Sequence, residues 1–305
     1  MSVDERNGPH GREIYSAETV CNFTPVGTGP APTVRLVGAN TPFSTPPILR
    51  HRPPIWREAR LGLEAAALLR DPVWRGRGVE DGGGMPVLLI PGFLAGDGSL
   101  GLMTQWLRRT GHHTRKAGMH ANVGCSGTWA RRLEERLEEL VERQGRRAAI
   151  IGQSRGGSFA KVLARRRPDL VAGMVALGSP QLDPLAIHPL VRLQVLAVGA
   201  LGTLGAPGLF SHGCIRGDCC ADFWDQAAKP LRRGAGFVSI YSRSDGIVDW
   251  RSCLDPCAEH VEIDSSHVGM GVNPDCYRAI AAALAGFRTR DARRRAPLAA
   301  VTRAA

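Results

Sequence analysis

Between an apolar run and an amphipathic stretch lies Ile150-Ile151-Gly152-Gln153-Ser154-Arg155-Gly156-Gly157, a G-x-S-x-G string in a strand-turn-helix setting. There the string has a mechanical meaning: a tight turn lifts the serine Oγ above the sheet, and glycines at 152 and 156 let strand and helix pass without Cβ clashes. A serine hydroxyl becomes a useful nucleophile when a histidine takes its proton and a carboxylate fixes that histidine's tautomer. Both partners follow in the chain. Asp245 sits in SIYSRSDGIV, in a turn just past one predicted strand, and His267 sits in DSSHVGM, just past another. His260 is the rival base but falls inside the predicted strand 259–263. Asp249 is the rival acid, four residues beyond Asp245, with Asp255 and Asp264 behind it.

Attack on a carbonyl builds negative charge on its oxygen, and two preorganised backbone N–H groups are the usual answer. One donor normally comes from the residue after the nucleophile, here Arg155. The other normally comes from the loop after an earlier strand, here Phe93 in Pro91-Gly92-Phe93.

PVLLIPGF, GQSRGG, YSRSDGIVDW and SSHVGM, in that order, resemble the serine hydrolases of the α/β-hydrolase superfamily, nearest to bacterial lipase- and esterase-like proteins of the actinobacterial type. The resemblance covers about Pro86 to Phe287. It implies a mostly parallel central sheet with helices on both faces and a cap or lid insertion. It also implies that Ser154, Asp245 and His267 are nucleophile, acid and base, with Phe93 and Arg155 at the oxyanion. Gln153 stands where a histidine is common, and Pro91 stands where many lipases have the histidine of a His-Gly pair. The implied reaction is acyl transfer from an ester to water through an acyl-enzyme, on small-molecule esters or lipids, and it requires no metal or organic cofactor. The same triad serves acyltransferases and thioesterases, and a catalytically silent hydrolase fold used as a binding module is the reading from another class.

The elements that must position these residues are legible as alternating apolar strands and amphipathic helices. Pro86–Pro91, Ala148–Ile151, Leu170–Leu177, Gly236–Tyr241 and Glu259–Ile263 are the predicted strands. IWREARLGLEAAALLRDPVW predicts a helix stopped at Asp71-Pro72. Further helices are predicted near 99–109, 129–141, 158–166 and 275–287. Nine of the 21 prolines fall within residues 1–54, which predicts an irregular arm. The hydrolase domain is then 55–288, with the cap at about 178–235 and a basic tail at 289–305.

Within the cap, Val195 to Phe210 is almost wholly apolar but too short and glycine-broken to span a membrane. It predicts a buried cap helix, or alternatively a mobile lid that meets lipid. Leu94, Leu201 and Leu204 are the candidates for the acyl wall, with His188, Arg192 and the cysteines at 214, 219 and 220 as candidates for the mouth. Cys214, Cys219 and Cys220 form the one dense cysteine group, HGCIRGDCC. Its spacing lacks the CxxC or Cys/His pairing of a zinc site, so no metal is expected there. A loop disulfide from Cys214 to Cys219 or Cys220, or unpaired thiols, are the readings left.

The chain has 305 residues, 43% of them hydrophobic, enough for one large α/β domain. Basic residues outnumber acidic ones 39 to 28, and only Lys116, Lys161 and Lys229 are lysines. The arginines are scattered rather than interleaved with aromatics, so no nucleic-acid partner is expected, although the surface suits peripheral contact with an anionic membrane. The first thirty residues hold no apolar run of signal-peptide length, which predicts a cytoplasmic location, at the membrane surface or free of it.

Overall fold

The computed structural model describes residues 54–231 and 234–295. The expected proline-rich arm lies outside them apart from Pro54, as do residues 296–305 of the expected tail. Six parallel strands form one sheet: β1 (Pro86–Ile90), β2 (His113–Lys116), β3 (Ala148–Gln153), β4 (Val171–Leu177), β5 (Gly236–Tyr241) and β6 (Glu259–Glu262). Their order is β2-β1-β3-β4-β5-β6. This is the doubly wound, mostly parallel sheet that the sequence pattern implies.

Every residue of β1, β3, β4 and β5 is buried, because helices cover both faces. One face carries Val87, Leu89, Ile151, Val175 and Ile240 against α1 (Leu61–Arg70), α2 (Gly101–Arg109) and α8 (Pro274–Arg295). The other carries Leu88, Ile90, Ile150, Met174 and Phe237 against α3 (Ser126–Gln144), α4 (Arg155–Arg166) and α7 (Ala221–Ala228). Gly173 and Gly236 are small for a reason. A Cβ on them would stand 2.6 and 2.4 Å from the Phe287 ring, which α8 lays flat across β4 and β5.

The helix predicted from Ile55 begins as a 3₁₀ turn, Ile55–Arg60, before α1, and ends where Asp71 caps a further 3₁₀ turn by accepting the Val73 N–H at 2.8 Å. Gly145 ends α3 in the left-handed conformation. Two differences from the sequence reading stand out. β2, HTRK, is absent from the predicted strands; it is an edge strand with no buried residue, held by its pairing to β1 and by side-chain bonds from Arg108 to Thr114 Oγ1 at 2.7 Å and from Arg115 to Glu139 at 2.6 Å. The closing helix also runs on to Arg295, into the stretch read as a basic tail, because Arg147 reaches the buried Asp291 at 2.6 Å and Arg295 pairs with the same carboxylate.

Between β4 and β5 lie α5 (Pro189–Thr203), α6 (His212–Arg216) and α7. The segment leading into α5 is laced to the loop after β5. His188 N–H donates to the Ile247 carbonyl at 2.7 Å, and Asp249 N–H to that of Ala186 at 2.9 Å. Contrary to expectation, α5 is not a buried helix: Gly199 is its only buried residue. No helix among the described residues is long and apolar enough to cross a membrane.

Candidate active site

The strand order reverses between β1 and β3, and a crevice opens beyond the carboxyl ends of strands at such a point. Ser154 sits there, between β3 and α4, at φ 52° and ψ −124°. That conformation is costly for a residue with a Cβ, by about 1–3 kcal/mol, and survives only where the surroundings enforce it. They do so here: the Ser154 N–H donates to Leu177 O at 2.8 Å, and its carbonyl accepts from Ser179 Oγ at 2.6 Å. The elbow is tight enough to need both glycines. A Cβ on Gly152 would lie 2.3 Å from Gly156 O, and one on Gly156 would lie 2.2 Å from Ile90 O.

His267 and Asp245 come together on the loops after β6 and β5. His267 Nδ1 is 2.7 Å from Asp245 Oδ2. Asp245 Oδ1 accepts the N–H groups of Ile247 and Val248 at 2.8 and 2.7 Å, so the carboxylate cannot swing away. Gly178, at φ +50°, floors the pair: a Cβ there would be 3.0 Å from both Asp245 Oδ2 and His267 Nδ1. Burial opposes a charge on His267, but the Asp245 charge and hydrogen bond and the Glu58 charge outweigh it, so the imidazole titrates above its ordinary value.

The rivals are engaged elsewhere. Asp249 caps the turn Trp250–Cys253 through the Arg251 N–H at 3.1 Å. His260 Nε2 lies 2.8 Å from Asp255 O, Asp255 pairs with buried Lys161 at 2.7 Å, and Asp264 pairs with Arg60 at 3.2 Å.

The Pro91-Gly92-Phe93 loop runs beside Ser154. A Cβ on Gly92 would stand 3.1 Å from Ser154 Cβ. Buried Asn122 fixes this loop by donating from Nδ2 to Pro91 O at 2.8 Å. Arg155 turns its side chain away to Asn122 O, Gly124 O and Ser126 Oγ, at 2.8, 2.8 and 2.9 Å, while its N–H remains at the first turn of α4.

A pocket opens from Ser154, walled by Phe93, Ile187, Val191, Val195, Phe210 and Ile215. Leu94, Leu201 and Leu204, expected in this wall, are not part of it. Leu201 and Leu204 are exposed on α5 and at its end, with Leu204 84% exposed, and Leu94 is also exposed. The apolar stretch contributes Val195 and Phe210 instead. His188 caps α5 through the Leu190 N–H rather than lining the pocket.

Sequence reasoning missed two carboxylates. Glu58 Oε1 accepts from the Gly246 and His267 N–H groups, and its Oε2 from Val268, each at 2.9 Å. Buried Glu64 takes the Ser266 N–H and hydroxyl at 2.8 and 2.6 Å. A Cβ on Gly269 would fall 1.6 Å from Glu64 Oε2, so that position is closed to larger residues. Gln153 Nε2 donates to His267 O at 3.1 Å, tying the Ser154 turn to the His267 loop. Cys125 was likewise not associated with Cys214, Cys219 and Cys220, yet it lies among them, 3.4 Å from Cys220 Sγ; all four are free thiols, so the loop disulfide is not formed.

Residues 106–256 match the family model Esterase, a match that supports ester hydrolysis. No curated protein matches the chain. Among solved structures, the mature lipase BlEst2 of Bacillus licheniformis superposes with a TM-score of 0.51 at 14% identity, over 68% of this chain and 94% of that one. A structure from work on LipS and LipT, two metagenome-derived lipolytic enzymes, gives 0.50 at 15% identity, over 69% and 96%. At these identities the likeness is one of fold.

Proposed function

We propose that this chain, an α/β-hydrolase by fold, hydrolyses carboxylic esters with apolar acyl groups through an acyl-enzyme on Ser154. The observation that carries the reading is the buried His267–Asp245 pair at 2.7 Å, on the same end of the sheet as a serine held at positive φ in the mouth of an apolar pocket.

In this reading the Ser154 Oγ attacks the ester carbonyl while His267 Nε2 takes its proton. Asp245 holds Nδ1–H and so leaves Nε2 free to act as base. The N–H groups of Phe93 and Arg155 receive the oxyanion, and the helix dipole of α4 adds its positive end. His267 then returns the proton to the leaving alcohol. Water repeats the sequence on the acyl-enzyme and frees the acid. The pocket excludes water from the acyl chain and gains binding energy from its length. An acyl acceptor other than water would make the same machinery an acyltransferase, and a thioester substrate would make it a thioesterase.

A second element of the reading concerns α5. Leu190, Leu193, Leu196, Leu201 and Leu204 are all exposed on it or at its end, and Arg192 is its only charged residue. Such a helix suits the boundary of a lipid droplet or bilayer, where the apolar face is covered while substrate enters beneath it.

The test is fluorophosphonate labelling of the full chain followed by peptide mapping, with turnover of p-nitrophenyl esters measured in parallel. Labelling at Ser154 with ester turnover is the expected result. A folded protein that neither labels nor turns over any ester is a binding module.

A further inference from the structure

Four cysteines from three separate segments meet beside the pocket. Cys125 caps the start of α3, Cys214 lies in α6, and Cys219 and Cys220 occupy the turn into α7. Their Sγ atoms all lie within 4.8 Å of one another. Four of the six separations are 3.0 Å for 214–219, 3.4 Å for 125–220, 3.6 Å for 219–220 and 4.0 Å for 125–219. Four sulfurs placed about 2.3 Å from a common tetrahedral centre are about 3.8 Å apart, and the observed separations bracket that value. A disulfide instead gives each sulfur one partner at about 2.05 Å. Here Cys219 has three sulfur neighbours within 4.0 Å.

The surroundings suit a metal centre built from four thiolates. Four thiolates on a divalent ion carry a net charge of −2, and thiolate sulfurs are usually stabilised by N–H donors around them. The Gly127 N–H, in the first turn of α3, points at Cys220 Sγ at 3.4 Å. The Arg155 guanidinium is held by the carbonyl and hydroxyl oxygens that flank Cys125, and makes no carboxylate pair among the described residues. Cys214 and Cys220 are buried while Cys219 is exposed, so the cluster is dry on one side and has an entry path on the other.

We propose that Cys125, Cys214, Cys219 and Cys220 bind one zinc ion in a closed tetrathiolate site that clamps the cap to the core. With all four positions filled by protein, such a centre is structural. Its effect on the pocket is direct, because Cys214 and Ile215 line it and Trp224 Nε1 donates to Cys214 O at 2.9 Å. Zinc release would let α6 and α7 slide on α3. The site stands apart from the ester-hydrolase reading and fails or holds independently of it.

The experiment is metal analysis of the full chain purified under reducing conditions and dialysed against equimolar zinc. One zinc per chain is expected, and chelation should expose four additional thiols to titration. Replacing zinc with cobalt should give the intense sulfur-to-cobalt charge-transfer absorption of a tetrahedral thiolate centre in the parent protein, so the result does not depend on a variant folding. Cys219→Ser, at the exposed ligand, should lose stoichiometric zinc while keeping its circular dichroism. Folded, reduced parent protein that retains no zinc, or peptide mapping that finds 214–219 and 125–220 disulfides in freshly isolated protein, overturns the proposal.

Discussion

Glu58 accepts the backbone N–H of His267 at 2.9 Å, although 209 positions separate the two residues in the chain. The same carboxylate oxygen holds Gly246, next to Asp245, so one side chain fixes the loops that carry Asp245 and His267. Glu58→Gln removes a charge that raises the His267 pKa and turns one acceptor into a donor facing the Val268 N–H. The base must be neutral to act, so in the parent kcat/KM should rise with pH through an inflection above the ordinary imidazole value of about 6.5. In Glu58→Gln that inflection should move down and kcat should fall. A pH-rate profile on a soluble ester checks both, and an unmoved inflection would show that Glu58 only braces the loops. The linked stability has the opposite pH sense. Because the folded-state pKa is raised, protonation of His267 stabilises the fold fully below about pH 6.5 and progressively less as pH rises through the folded value.

Ser154→Ala should abolish turnover, a loss on the order of 10⁶ by comparison with other serine hydrolases. Ser154→Gly should be equally inactive but more stable, by about 1 kcal/mol, because glycine adopts φ 52° without strain. Chemical denaturation of the two variants reads the difference. Equal stability would mean that the elbow stores no strain in the nucleophile.

Asp245→Asn should lower kcat by about 10⁴ while the fold persists, since an amide can present its N–H to Nδ1 and trap the wrong tautomer. Asp249→Asn touches no part of the base and should leave kcat near the parent's. Its cost is expected in stability, about 1 kcal/mol or less, through the cap it provides for Trp250–Cys253. Steady-state kinetics beside thermal melts separate the two effects, and reversed kinetic magnitudes would reassign the acid.

Specificity should rise from acetate to medium-chain esters, by about fourfold for each CH₂ buried, until the pocket is filled. Val195→Arg, in the pocket wall, should flatten that rise, and Leu201→Arg, on exposed α5, should leave it intact. The measurement is kcat/KM for p-nitrophenyl esters of two to sixteen carbons. A maximum at acetate in the parent would remove the acyl pocket from the reading.

The exposed leucines call for a different assay. A Leu193→Glu, Leu204→Glu double variant should lose cosedimentation with anionic liposomes and turnover of emulsified long-chain esters, and keep parent kinetics on a soluble butyrate. Liposome binding unchanged from the parent would confine α5 to covering the pocket.

The buried strands were readable because a strand covered on both faces must be apolar at every position, as PVLLI and VAGMVAL are. β2 was not, since HTRK contributes backbone pairing and no core side chain. Ser154, Asp245 and His267 stood out because each falls in a loop directly after a strand, where parallel sheets place their chemistry. Glu58 and Glu64 left no such mark: in the sequence they are ordinary charges on a helix, and their partners lie about 200 residues away. Cys125 was hidden in the same way, 94 and 95 positions before Cys219 and Cys220. Leu201 and Leu204 misled for the converse reason, since hydrophobic residues in a cap helix read as the wall of an acyl pocket unless the helix's neighbours are known.

The two carboxylates ahead of the sheet also set an order of events during folding. Glu58 and Glu64 are made well before the groups they hold, from Gly246 to Val268, which lie 188 to 210 positions further along the chain. Contacts of such long sequence separation form late, because the loop entropy of the whole intervening chain is lost before any bond repays it. The sheet from β1 to β4 can therefore assemble around Ser154 while the acid and base loops are still unanchored. Under the proposed mechanism, a chain made only as far as β5 would carry the Ser154 elbow without Asp245 or His267, so competence would wait on the docking of these later loops.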